Sequence, residues 1–436
     1  YVYVINTGDL NPFTCRWSWH ISDLTDLDGM REALKQIEGA HDFSTFTVEL
    51  DPSKDHVRTI YKAEIKQFGP LVCIHIMGDG FLYKMVRSIV GAIADVGRGK
   101  IEPERSLCRF LLYVSFFPKL LMGPIMRYAD FRIQLERPYA QRDQMNKGVC
   151  LFIAGLAQKV ILSAWMADLF ARMGQLPLSF VSGWGQAVAY SLQLYFDFAG
   201  YSLMAFGLAA MFGFYVPVNF RYPYLSDSIS AFWRRWHITL GAWFRDYVYI
   251  PLGGNRRGKG RQLLNLFIVW GLTGLWHGAS WNYVLWGLYF FLFLVIEKFL
   301  LGEKQQRIPA VLRHLFLLII VYFCWVIFRF RDAAALGMAL RGLFGGGTAA
   351  AGMAAGLSLK NNIFLLLVAC VACTPLTAKL WQRWKAAAQG DSVFAGNRLL
   401  RGAAAVWEVI HPVLLLLLAA MALAGDSYNP FLYFQF

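Results

Sequence analysis

Two histidines stand in stretches crowded with tryptophan and glycine. His277 lies in GLTGLWHGASWN (Gly271–Asn282), beside Trp276, Gly278, Trp281 and Asn282. His237 lies in SISAFWRRWHITLGAWFRD (Ser228–Asp246), next to Arg234 and Arg235 and among Trp233, Trp236 and Trp243. Imidazole titrates near neutrality, so it can take the proton of a hydroxyl as that hydroxyl attacks a carbonyl. The two arginines can hold anionic groups such as phosphates. Asp197, in LQLYFDFAGYS, is an acid within a long apolar run and could orient a histidine or pair with an arginine. The same residues have structural readings: a neutral His277 hydrogen-bonded between helices, and an interfacial aromatic-belt helix with snorkelling arginines around His237. Asn219, Arg221, Arg245, Asp246 and Tyr249 read as a polar scaffold. No stretch has the form of a nucleophile elbow or a Ser-His-Asp order, and no acidic cluster points to a metal. Direct attack by an acceptor hydroxyl on a thioester needs a base, an oxyanion donor and an approach path from each side.

The elements that must position these groups belong in lipid. Of 436 residues 57% are hydrophobic and only 16% charged, well below the ~25% of soluble domains. Apolar runs approach the ~20 residues that cross a bilayer. Candidate spans are 148–166, 185–213, 263–279, 284–301, 312–330, 362–376 and 403–425. The stretch LLYVSFFPKLLMGPIMRYADF, broken by Pro118, Gly123 and Pro124, reads as bent or interfacial. RGLFGGGTAAAGMAAGLSL reads as a surface loop or interfacial helix. The loop GGNRRGKGR (Gly253–Arg261) marks the cytoplasmic side. EKQQRIPAVLR and AKLWQRWK return to that side, and the charge-poor tail after Gly425 falls outside. His277 then lies about 14 residues, or roughly 20 Å, into a core ~30 Å thick. An ionisable group at that depth faces a protein interior or a watery path. The expected architecture is a mostly α, polytopic membrane helical bundle preceded by a small soluble α/β fragment.

That fragment is set off by charge. Residues 1–106 hold 12 basic and 15 acidic residues, net −3, and the remainder 30 and 13, net +17. The positive excess belongs to cytoplasmic loops, and nucleic acid is not the expected partner. YVYVIN and LVCIHIMG predict strands. The run from Asp28 to Glu38 predicts a capped helix ended by Gly39, and Phe81–Gly97 a second helix with Phe81, Met85, Ile89 and Ile93 at i+4 steps. Two segments, 1–106 and 107–436, are expected. The seven cysteines have no paired spacing, and Cys370 and Cys373 read as packing residues of an apolar run. The sequence does not begin with Met, which is read as a missing N-terminus.

Residues 107–436 carry, in order, FFPKLLMGPIMRY, YFDFAGYS, NFRYPYLSDSISAFWRRWHITLGAWFRDYVYIPLGGNR, GLWHGASWN and CWVIFRF. This series resembles the membrane-bound O-acyltransferases, nearest to alginate O-acetyltransferase membrane subunits and related to teichoic acid D-alanine transfer. The resemblance implies acyl transfer through a central tunnel, from a cytoplasmic donor such as acetyl-CoA or another acyl thioester. The acceptor is an extracytoplasmic polysaccharide or an acyl-relay protein, and no bound cofactor or metal is implied. It implies His277 as base and His237 as a second catalytic histidine, with Asp197, Arg234, Arg235, Trp276 and Asn282 supporting or donor-binding. The lipid bilayer is the surrounding partner, and the implied location is the bacterial inner membrane. Leu203 in GYSLMA stands where the family has an acid, and the spans preceding FFP in that family are not present. Residues 1–106, through REALKQIEGAHDFSTF and GFLYKMVRSIVGAIADVGRGK, resemble the C-terminal half of TruA-type tRNA pseudouridine synthases. Arg87 and Tyr1 are the implied remnants of an RNA site. No GRTDAGVH motif with its catalytic aspartate occurs, so this fragment is expected to be inactive, the chain being a fusion of two truncated parts.

Overall fold

The computed structural model describes residues 1–8, 17–43, 46, 56–82, 84–99, 106–120, 123–135, 141–345, 347–389 and 398–425. The expected join after Glu104 and the tail beyond Gly425 lie outside them. By packing the chain divides into two units, residues 1–117 with 127–137, and 118–126 with 138–436.

In the first unit, β1 (Val2–Asn6), β2 (Trp19–His20), β3 (Gly39–Asp42), β4 (Val57–Phe68) and β5 (Leu71–Gly78) form one sheet in the order β2-β1-β5-β4-β3. Only the short β1–β2 pair is parallel. Alternate residues of β5, Val72, Ile74 and Ile76, are buried, as the twofold period of a strand requires. Helices α1 (Leu27–Lys35) and α2 (Met85–Gly97) close the core, with Met30, Leu34, Met85, Ile89 and Ile93 inside. Two expected boundaries move. Asp26 caps α1, which ends at Lys35, and Gly39 instead opens β3. The second helix starts at Met85, because Lys84 has a left-handed φ of 62° that breaks the helical path from Phe81. In the same unit α3 (Leu107–Ser115) brings Phe110 to 5.6 Å from Phe46, and α4 (Tyr128–Leu135) brings Phe131 against Tyr113.

The second unit is helical. Its first helix runs as α5 (Arg142–Ala157), a π-helical stretch Gln158–Ser163 and α6 (Ala164–Gln175). It is followed by α7 (Phe180–Met211), α8 (Ile229–Trp233), α9 (Ile238–Phe244) and α10 (Gly258–His277). Next come α11 (Trp281–Val295), α12 (Ala310–Arg329), α13 (Ala333–Phe344), α14 (Ala349–Asn361), α15 (Ile363–Ala372), α16 (Leu376–Gln389) and α17 (Arg398–Gly425). Among the described residues, five helices are long and apolar enough to cross a membrane: 142–175, 180–211, 281–307, 310–329 and 402–424. The pair α14–α15, bent by 61°, makes a sixth if it is one broken span.

Two expected spans come out differently. Alpha10 is a helix of 20 residues but not among those apolar helices, because Gln262, Asn265 and Thr273 occupy its buried side. The span at 362–376 is only the second arm of the bent pair. The Gly/Ala stretch before it, expected as a surface loop or interfacial helix, holds the last turn of α13 and most of α14, with Gly342, Leu343, Ala351 and Ala355 buried.

Glycine fixes how α5 and α7 meet. A Cβ on Gly148 would lie 2.7 Å from the Gly207 carbonyl oxygen, and one on Gly200 would lie 2.7 Å from that of Gly155. The partners run antiparallel, Gly148 with Gly207 and Gly155 with Gly200, so the backbones touch twice, one heptad apart. Close approach through small residues is how helices associate where lipid offers no hydrophobic drive. A turn further on, Lys159 in the π-helical stretch reaches Asp197 of α7. Alpha10 and α11 pack in the same way, Gly274 lying against the Tyr283 carbonyl.

Gly200→Leu should therefore force α5 and α7 apart and cost about 3 kcal/mol or more by overpacking. Gly352→Ala, with nothing within 4 Å of the new Cβ, should change stability by less than ~0.5 kcal/mol. Denaturant titration in micelles reads both, and equal stabilities would contradict the packing.

Candidate functional site

The stretch around His237 is not one helix. Alpha8 ends at Trp233, and His237 turns the chain with φ 46° and ψ 53°, the left-handed region, before α9 begins at Ile238. A non-glycine residue there carries a cost of about 1–3 kcal/mol that its surroundings must offset. The surroundings do so through Asn219, which is 2% exposed. The Asn219 carbonyl accepts the Ile238 N–H at 3.0 Å, and its Oδ1 accepts the Thr239 N–H at 3.3 Å and the Thr239 hydroxyl at 3.0 Å. Oδ1 also lies 3.0 Å from His237 Nδ1, while Nδ2 donates to Ser202 Oγ of α7 at 3.3 Å. Because a backbone N–H can only donate, the Asn219 atom it meets is the oxygen. Facing that oxygen, Nδ1 of His237 must carry a proton, which leaves Nε2 as the accepting nitrogen of the neutral ring. Phe198 of α7 packs edge-on against the imidazole at 4.7 Å.

The start of α8 is also held from a distance. Glu297, at the end of the α11 span, accepts the N–H groups of Ile229 at 2.6 Å and Ser230 at 3.1 Å. A carboxylate on the N-terminal N–H groups of a helix satisfies donors that the helix itself leaves open.

His277 is the last residue of α10. Gly278 follows with φ 151°, and a Cβ on it would meet the Tyr283 ring at 2.9 Å, so the chain leaves the helix here only with glycine. The His277 ring is half-buried among aromatics: Trp276 at 4.9 Å, Trp286 at 5.0 Å, Phe328 at 5.2 Å and Tyr283 at 6.3 Å. The Trp276 ring, 46% exposed, also lies 6.4 Å from His237. The structure thus brings both histidines near one indole. Asn282 is buried in the first turn of α11 and donates through Nδ2 to the Phe328 carbonyl at 2.9 Å.

The remaining expected residues fall elsewhere. Asp197 is 2% exposed, and its carboxylate is bound by Lys159 and approached by Ser163 at 3.5 Å. Its partner is a lysine, where the sequence suggested a histidine or an arginine. Arg234 is exposed and Arg235 half-buried, and neither side chain has an ion pair among the described residues. In the first unit Arg87 is exposed on α2, and the Tyr1 ring packs 5.0 Å from Phe81. A cavity of ≈ 280 Å³ lies among Asp227, Glu297, Arg313 and Phe316 and is lined by neither histidine. Sequence reading did not single out Lys159, Ser202, Trp286 or Glu297. A lone lysine in GLAQKVILSA and a lone glutamate in FLVIEKFL were the available signals for two of them.

Residues 104–339 match the family model described as MBOAT, membrane-bound O-acyltransferase family, and residues 33–108 match that of tRNA pseudouridine synthase. The chain is 36% identical over 397 residues to the probable alginate O-acetylase AlgI of Azotobacter vinelandii, covering 86% of this chain and 79% of the relative. It is 36% identical over 252 residues to the peptidoglycan O-acetyltransferase of Helicobacter pylori, covering 55% and 48%. It is 28% identical over 256 residues to the teichoic acid D-alanyltransferase of Bacillus subtilis, covering 55% and 65%.

The Asn219 network carries its own test. Asn219→Leu strands three donors that Oδ1 now accepts, at about 1–3 kcal/mol for each one left buried. The total loss should reach about 3 kcal/mol or more. Asn219→Asp keeps an accepting oxygen for all three and should lose less than half as much. Equal losses in micelle unfolding would show that the hydrogen bonds are not what matters.

Proposed function

The chain belongs to the membrane-bound O-acyltransferase family, and on that premise we propose that it moves an acyl group, acetyl by its resemblance to the alginate O-acetylases, onto hydroxyls of an extracytoplasmic polysaccharide. The donor in this reading is a cytoplasmic thioester such as acetyl-CoA, and the setting is a bacterial inner membrane. The enzyme is an O-acyltransferase with several membrane-crossing helices.

The observation that carries the reading is the placement of His237 and His277 around Trp276. In the proposed mechanism His277 removes the proton of the attacking hydroxyl, and the same proton leaves with the thiolate. The aromatic rings around His277 exclude bulk water, which favours transfer to the acceptor over hydrolysis. His237, its Nδ1 proton committed to Asn219, presents an accepting Nε2 toward the donor side. The unpaired Arg234 and Arg235 hold the donor's phosphates at the cytoplasmic mouth. Asp197, neutralised by Lys159, joins the π-helical stretch to α7 and acts on the wall of the path. Alginate, peptidoglycan and teichoic acid, named in the relatives, all present hydroxyls to such a site. The handover outside the membrane is direct or passes through a relay protein.

The tRNA pseudouridine synthase match at residues 33–108 supports reading the first segment, 1–106, as a pseudouridine-synthase-like part joined ahead of the acyltransferase at 107–436.

His277→Ala, at normal protein level, should lower ester-linked acyl groups on the exported polysaccharide by at least ~100-fold, the lower range for loss of a general base. Colorimetric ester analysis of the polymer reads the effect. Undiminished acylation would remove His277 from the mechanism.

A further inference from the structure

Two buried polar atoms of α11, which carries the Trp286 ring against His277, have no partner among the described residues. One is the indole N–H of Trp286, whose residue is 1% exposed, and the other is Oδ1 of Asn282, 3% exposed. A buried donor or acceptor left unpaired is costly, and native structures seldom keep one without a use. These two stand four residues apart on α11, hence on one helix face. Asn282 is not loose, since its Nδ2 is tied to the Phe328 carbonyl. The Trp286 ring is equally fixed, edge to face with His277 at 5.0 Å and with Phe290 at 5.6 Å. The rings of Trp233, Trp270, Trp325 and Phe328 also pack on it. One fixed donor and one fixed acceptor on one face of α11, with the donor's ring against an imidazole, form the complement of a ligand bearing a carbonyl oxygen and a hydroxyl.

The geometry points to Trp286 as a catalytic residue of the acyl-transfer site: its Nε1–H donates to the carbonyl oxygen of the acyl group, while Asn282 Oδ1 accepts from the incoming hydroxylated substrate. The assignment rests on the acyltransferase reading with His277 as base. The acceptor's hydroxyl oxygen attacks the carbonyl carbon, and the π pair of the C=O bond moves onto the oxygen held by Trp286. The hydroxyl proton passes to His277. Collapse restores the C=O bond and breaks the C–S bond, and the thiolate departs with that proton from His277. The charge on oxygen grows during the attack, so a fixed N–H contributes more to the transition state than to the bound thioester.

The test removes the N–H while keeping the ring. Trp286→Phe is the simple variant, and because it also leaves space, a second protein carries the benzothienyl analogue of tryptophan at position 286, with sulfur in place of N–H. Both are compared with wild type and His277→Ala for the rate of ester accumulation on exported polysaccharide and for thermal midpoint in micelles. The expected result is a loss of ~100-fold or more, the scale of one oxyanion donor, with the analogue's thermal midpoint unchanged. Wild-type ester formation by either variant overturns the assignment. So does a loss matched by a collapse of the midpoint in both, which marks Trp286 as a packing residue. If His277→Ala also acylates normally, the acyltransferase mechanism itself has failed, and the two failures are told apart.

Discussion

Backbone contact between α5 and α7 is the constraint on which the rest of the bundle hangs. Four glycines in two pairs let the helices approach until a Cβ would strike the opposite carbonyl. Once α7 is seated, Phe198 and Ser202 are fixed on it, and they hold the imidazole and the amide of the His237 corner. The Lys159–Asp197 pair prolongs the same crossing. A buried ion pair gives little net stability, because desolvation offsets much of the attraction. Its contribution is register: a lysine in a π-helical turn can meet this aspartate only when the glycines are aligned.

Around His277 the packing has a different character. Alpha10 and α11 touch through Gly274, and their hairpin together with Phe328 of α12 presents a wall of aromatic rings to one imidazole. Rings supply a large apolar area at small entropic cost and leave edges that carry N–H groups. A site built in this way is largely apolar, with the half-exposed Trp276 at its edge. A dry site strengthens each hydrogen bond within it and penalises each one unmade. The same property that would speed acyl transfer therefore makes an unpaired Trp286 N–H and Asn282 oxygen conspicuous.

Much of this was legible in the sequence. The alternation of β5 and the i+4 repeat of α2 follow from strand and helix periods, and the apolar runs at 185–213 and 312–330 became helices close to their expected limits. The stretches around His237 and His277 stood out because cations, histidine and glycine are rare among lipid-facing residues. The corner at His237 did not, since local propensity favours a continuous helix and the break is imposed by Asn219, 18 residues away. The partner of Asp197 lies 38 residues upstream, beyond any local pattern. Trp286 carried no signal at all, because a tryptophan in an apolar helix reads as packing until its N–H is found unpaired. The polarity of α10 was hidden for a related reason. Gln262, Asn265 and Thr273 are spaced along one face, and a run of hydrophobic neighbours masks them.

The central claim is that His277 is reached by an acyl group within the bundle. Its most direct test is an electron cryomicroscopy map of the protein in lipid nanodiscs with acetonyl-CoA, a ketone that keeps the carbonyl and cannot be cleaved at sulfur. The account predicts density for the ketone within hydrogen-bond reach, about 3 Å, of the Trp286 N–H and against the His277 ring. A His277 ring enclosed by its aromatic neighbours, with the ketone bound elsewhere in the bundle, would contradict it.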